Sequence, residues 1–134
     1  MRALVIDDSR TMRSILRNIL KEVGMEVVEA PNGLEALEQM KQVPDIGLIL
    51  VDWNMPVMNG FDFICAVRAE RAYSGVRILM VTSEAEGSQV ARALNAGANE
   101  YLMKPFSREV LVAKLNLLDA GFTWIESKTE GNDG

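Results

Sequence analysis

The chain of 134 residues contains no histidine. That absence removes a Ser-His-Asp hydrolase, a histidine-ligated metal centre and a phosphohistidine carrier from consideration within this chain. One cysteine, Cys65, forms no internal disulfide and builds no thiolate metal site, a count that fits a reducing cytoplasm. Long apolar runs are missing too. The longest stretch free of Asp, Glu, Lys and Arg is nine residues, Trp53 to Phe61, against the roughly twenty needed to cross a bilayer. The opening Met1-Arg2-Ala3-Leu4-Val5-Ile6-Asp7-Asp8 meets acid too early for the core of a signal peptide. There is no basic surplus: 14 Lys and Arg against 19 Asp and Glu give −5, which argues against a surface built to neutralise nucleic-acid phosphates. Hydrophobic residues at 49% suffice for a core, and the length matches one domain. The expectation is a single soluble, cytoplasmic domain.

What is present alternates between two periods. Ala3 to Ile6, Ile46 to Val51 and Ile78 to Val81 are continuous apolar runs, suited to strands buried on both faces of a parallel sheet. Met25 to Glu29 and Glu100 to Met103 are weaker strand candidates. Between them, Met12, Ile15, Leu16, Ile19, Leu20 and Val23 form a helical stripe, followed by Gly24 as a stop. Asn32 and Asn59 each precede an acid by three residues, Glu35 and Asp62, as a helix start does. Ser107 is a third candidate cap. Ala85 to Ala96 has only Val90, Leu94 and alanines to bury and predicts a loosely held helix. Five β-α repeats predict a doubly wound α/β sheet with helices on both faces. Residues 1–119 read as one domain and 120–134 as an extension. There, Phe122 and Ile125 continue the spacing of Leu111, Leu115 and Leu118, so the segment either prolongs the last helix or forms a tail anchored by one aromatic.

In such a sheet, chemistry sits beyond the carboxyl ends of the strands where strand order reverses. Those ends carry Asp7-Asp8, Asp52, Thr82-Ser83 and Lys104-Pro105. If the first and third strands are neighbours, three carboxylates converge. Two like charges about 4 Å apart repel by roughly 4 kcal/mol at an effective dielectric near 20, so the acids either share protons or hold a hard cation. An oxygen-only, partly hydrated cluster suits Mg2+. A carboxylate beside Mg2+ and a lysine can attack a phosphoryl group and keep it as an aspartyl phosphate, with Lys104 offsetting charge on the phosphoryl oxygens and Thr82 donating its hydroxyl. Rival phosphate sites fail on their motifs. No Gly-x-x-x-x-Gly-Lys-Ser/Thr occurs, and the first strand runs into Asp7-Asp8-Ser9-Arg10 rather than a glycine-rich turn. Taken singly, each acid is an ordinary strand-closing residue, Lys104 a solvated lysine and Thr82 a turn residue; their joint register favours a site. On the same reading Trp53 is a rim residue, Cys65 a small buried one, and most methionines fill core gaps.

Asp7-Asp8, Val51-Asp52-Trp53-Asn54-Met55-Pro56 with Met58-Asn59-Gly60, Met80-Val81-Thr82-Ser83-Glu84, and Tyr101-Leu102-Met103-Lys104-Pro105-Phe106 resemble the receiver domains of two-component response regulators. Asp7-Asp8-Ser9-Arg10-Thr11-Met12-Arg13, Asp52-Trp53-Asn54-Met55-Pro56 and Asn95 to Tyr101 bring the likeness nearest to the single-domain chemotaxis regulators. The resemblance implies a flavodoxin-like (βα)5 fold with strand order 2-1-3-4-5. It assigns Asp52 as phosphoacceptor and Asp8 as direct Mg2+ ligand, with Asp7 acting largely through water and the Asn54 carbonyl completing the set. Lys104 pairs with the phosphoryl group, Thr82 is the switch hydroxyl, Tyr101 the aromatic that follows it, and Asn54 and Glu84 tune dephosphorylation. It further implies a cis Lys104-Pro105 bond. Ser83 stands where the chemotaxis regulators usually carry alanine.

The implied function is a stand-alone response regulator that takes a phosphoryl group from a sensor histidine kinase, catalysing its own phosphorylation and dephosphorylation. It then switches binding to a downstream protein, such as a flagellar switch protein, through the face from helix four to helix five, as a monomer or phosphorylation-dependent dimer. Alternatives are a relay intermediate that hands the group to a histidine phosphotransfer domain, and a phosphate sink. An aspartyl-phosphate phosphatase needs a second Asp two residues after the nucleophile, where Asn54 stands.

Overall fold

A computed structural model of the chain describes residues 1–83 and 89–118. Among these, five parallel strands form one sheet in the order β2-β1-β3-β4-β5. They are β1 (Arg2–Ile6), β2 (Glu26–Ala30), β3 (Ile46–Asp52), β4 (Arg77–Ser83) and β5 (Glu100–Lys104). The helices are α1 (Arg10–Glu22), α2 (Gly33–Gln42), α3 (Gly60–Arg68), α4 (Val90–Ala96) and α5 (Arg108–Leu118), with a short 3-10 turn at Arg71–Tyr73. The chain therefore has the doubly wound, flavodoxin-like α/β fold expected of it. No helix of the described residues is long and apolar enough to cross a membrane.

The three apolar runs are the central strands. Successive side chains point to opposite faces, so each run feeds two cores. Ala3, Val5, Leu48, Leu50, Leu79 and Val81 pack with Leu16 and Leu20 of α1 and Leu111 and Leu115 of α5. Leu4, Ile6, Ile49, Val51, Ile78 and Met80 pack with Ala36 of α2, Phe63, Ile64 and Val67 of α3, and Ala93 of α4. Each fully buried Leu, Ile or Phe stabilises the fold by about 1.5–3 kcal/mol.

Side-chain caps start four helices where the sequence changes period. Ser9 accepts from the Met12 amide at 3.2 Å, Asn32 from Glu35 at 2.9 Å, Asn59 from Asp62 at 2.8 Å and Ser107 from Val110 at 3.1 Å. Gly24 follows α1 at a φ of 95°, a conformation that favours glycine. The α1 stripe is narrower than its spacing suggested: Leu16, Leu20 and Val23 are buried, but Ile15 is exposed. In α4 only Ala93 is buried, in keeping with a lightly held helix; the stretch proposed to begin it, 85–88, lies outside the described residues. So does the 120–134 extension.

Candidate functional site

Strand register builds the site. Ile6 pairs with Val51, so the next residues, Asp7 and Asp52, emerge side by side from neighbouring strands about 5 Å apart. Asp52 pairs with Val81, and Ser83 pairs with Lys104, so Lys104 projects from a strand tip beyond Asp52 and returns across β4. Carboxylate oxygens of Asp7, Asp8 and Asp52 lie within 4.8 Å of one another. The Lys104 ammonium lies 3.3 Å from Asp7 Oδ2 and 3.4 Å from Asp52 Oδ1. Asp7 and Asp52 are buried, whereas Asp8 opens to solvent.

One ammonium cannot neutralise three carboxylates. The donor set is all oxygen, half sunk and open on one side, which fits a hard divalent cation that keeps part of its water; zinc would favour nitrogen or sulfur ligands. Burial alone would lower the Lys104 pKa. The charges of Asp52 and Asp7, with hydrogen bonds to both, outweigh it and hold the pKa above the ordinary lysine value.

The surrounding backbone is held from several directions. Asp7 Oδ1 accepts from the Ser9 amide at 2.8 Å, turning the chain into α1. The Asp7 carbonyl accepts from the Arg13 guanidinium, which also pairs with Glu29 of β2 at 3.3 Å. Beneath Asp52, the Gly60 amide donates to the Trp53 carbonyl at 2.9 Å. A Cβ on Gly60 would lie 2.5 Å from the Asp52 carbonyl oxygen, so only glycine lets α3 begin there. Between them Val57 holds a φ of 71° with its side chain 75% exposed, a strained conformation for a β-branched residue. Lys104-Pro105 is cis.

Thr82 is fully buried, its hydroxyl donating weakly to the Ser83 carbonyl at 3.4 Å. Tyr101 pairs with Met80, two residues before Thr82, so both side chains face the same side of the sheet. The Tyr101 ring is half-buried, with Lys114 Nζ 4.2 Å from its centroid; that ammonium also meets Glu100 at 3.1 Å. Asn54 is exposed at the start of the β3–α3 loop. Glu84, the other proposed rate-tuning residue, lies outside the described residues.

Two expectations are corrected. Trp53 is not a rim residue but 5% exposed, because α3 lays Phe61 edge-on against it at 5.9 Å between ring centroids. Cys65 is exposed rather than buried, since Phe63, Ile64 and Val67 take the inner face of α3. Sequence reasoning also passed over Arg13 and Arg68. Both sit on helices where arginine ordinarily faces water, and nothing local marked them as backbone clamps.

Comparison with known proteins agrees with this geometry. The response regulator receiver domain family matches residues 3–116. Chemotaxis protein CheY1 of Helicobacter pylori is 44% identical over 119 residues, spanning 88% of this chain and 96% of its own. A CheY homolog of Campylobacter jejuni is 45% identical over 116 residues, spanning 86% and 89%. Among solved structures, the chemotaxis response regulator CheY4 of Vibrio cholerae superposes with a TM-score of 0.80 at 37% identity, covering 87% of this chain and 97% of that one.

Proposed function

This chain belongs to the response regulator receiver domain family and is closely related to the CheY chemotaxis regulators, and we propose that it is a phosphorylation-controlled binding module with Asp52 as phosphoacceptor. The observation that carries this reading is the gathering of Asp7, Asp8 and Asp52 within 4.8 Å beside the Lys104 ammonium. Asp8 and Asp52, the Asn54 carbonyl and, largely through water, Asp7 would hold Mg2+. When bound, the ion supplies charge compensation for phosphoryl oxygens.

An Asp52 carboxylate oxygen attacks the phosphorus of a kinase phosphohistidine. The P–N bond breaks, the imidazole nitrogen leaves with its electron pair, and Asp52 keeps the group as an acyl phosphate. Lys104, already against Asp52, re-pairs with a phosphoryl oxygen. The Thr82 hydroxyl turns from its long bond to Ser83 to donate to another. The volume it leaves is open to Tyr101 on the same side of the sheet, and the face of α4, β5 and α5 changes shape. Asn54 and Glu84 tune the rate at which water hydrolyses the acyl phosphate. The partners are a sensor histidine kinase and a downstream protein, a flagellar motor switch component being the one the chemotaxis relatives suggest, and the setting is the cytoplasm. The domain spans 1–119.

The test is partner binding with and without a small phosphodonor and Mg2+. A binding module gains affinity for a flagellar switch protein on phosphorylation, and Asp52→Asn abolishes the gain. If a histidine phosphotransfer domain instead empties Asp52 rapidly and no protein binds the phosphorylated form, the chain is a relay and the reading fails.

A further inference from the structure

Helix α4 buries one side chain, Ala93, yet two arginines tie it to α3, one at each end. At the far end from the acids, Arg68 donates to the Gly97 carbonyl at 2.9 Å, the Val76 carbonyl at 2.7 Å, the Tyr73 carbonyl at 3.0 Å and Asn99 Oδ1 at 2.9 Å. Asn99 in turn accepts from the Ile78 amide at 2.8 Å. Gly97 has a φ of 126°, and a Cβ there would lie 2.5 Å from Arg68 Cγ, so the guanidinium arm is fitted against the end of α4. This junction is fixed by many bonds to backbone.

At the other end, among the described residues, Val90 packs half-buried against the core and a single side-chain contact joins α4 to α3. The Arg92 guanidinium lies over the Phe61 ring, 4.6 Å from its centroid. Both Arg92 and the groove below it, about 330 Å³ lined by Phe61, Cys65, Arg92, Asn95 and Ala96, are open to solvent. Exposed cation–π contacts are weak. Phe61 itself, in the first turn of α3, is tied to the end of β3: its ring meets Trp53, and its neighbour Gly60 is bonded to the Trp53 carbonyl and leaves no room for a Cβ against the Asp52 carbonyl. A shift of the Asp52–Trp53 backbone therefore moves the platform on which Arg92 rests.

We propose that the Arg92–Phe61 contact is a releasable latch on α4, and that the Arg68–Gly97 junction is the pivot about which α4 turns when the latch opens. The latch stands on geometry alone; its release rests on Asp52 as phosphoacceptor. A weak contact at one end and a dense one at the other make the helix a two-position element, with Arg92 as a positioning residue.

Amide hydrogen exchange of α4 residues Leu94 to Gly97 tests both parts. Without phosphodonor, Arg92→Ala exchanges about two- to fivefold faster than the native chain, the bias an exposed cation–π contact supplies. Arg92→Lys, which keeps a cation over the ring, restores the native rate. Equal rates in Arg92→Ala and native protein overturn the latch, whatever happens at Asp52. With Mg2+ and phosphodonor, and Asp52 labelling confirmed by mass, native α4 exchange rises to the Arg92→Ala level and that variant gains nothing more. If phosphorylation accelerates both by the same factor, Arg92 is a prop and the release is overturned. Failure of Asp52 to take the label at all counts against the phosphoacceptor reading and leaves the first comparison intact.

Discussion

Lys104 Nζ lies 3.4 Å from Asp52 Oδ1, although the two are 52 positions apart in the chain. The strand register that joins β3, β4 and β5 makes this contact, and it puts a cation in competition with any metal for the same carboxylate. Lys104→Ala therefore binds Mg2+ at least as tightly as the native chain, while losing the phosphorylation-dependent gain in partner affinity. Trp53 fluorescence in a Trp124→Phe background reads the metal titration; clearly weaker Mg2+ binding contradicts the competition.

The same pairing sets an alkaline limit. Because the Lys104 pKa is raised in the folded protein, its contribution is complete below the ordinary lysine value of about 10.4 and disappears as pH rises through the folded value. Asp52→Asn removes the largest of the charges that raise it. In metal-free buffer, the alkaline loss of stability is smaller in that variant and is complete at lower pH than in the native chain, measured by urea unfolding across the alkaline range.

Gly60→Ala brings a methyl group against the Asp52 carbonyl oxygen, where a Cβ has 2.5 Å. Relief requires α3 to back away from the end of β3. Stability falls by about 1–3 kcal/mol, as for other overpacked sites, and phosphorylation slows with it. Urea unfolding and initial labelling rates check the two effects together.

Val57 offers the opposite change. Its side chain is 75% exposed and its φ is 71°, so Val57→Asn discards no buried contact and relieves a conformation that costs a β-branched residue about 1 kcal/mol or more. The thermal midpoint rises; an unchanged or lower midpoint contradicts the strain.

Much of this molecule could be read before its structure. Three uninterrupted apolar runs announced a sheet buried on both faces, and polar residues at the ends of the first two, with Lys104 at the end of the weaker fifth strand, were the ones that converge: Asp7, Asp8, Asp52 and Lys104. Those positions are legible because strand, turn and motif are all local. Trp53 was misplaced because its cover, Phe61, comes from the next helix, and a ring contact across a loop leaves no trace in periodicity. Cys65 and Ile15 were misplaced for a related reason. Helical spacing names a face about four residues wide, but only contact with a particular strand decides which edge of that face is buried. Arg13 and Arg68 were invisible because their partners are backbone carbonyls, which every residue has.

Phosphate labelling of Asp52 is the decisive measurement. With Mg2+ and a small phosphodonor, the native chain takes one phosphoryl group in a bond stable to acid and labile to base, and Asp52→Asn takes none. Equal labelling of the two proteins, or labelling of the native chain that is indifferent to removal of Mg2+, would contradict an acyl phosphate built among these carboxylates.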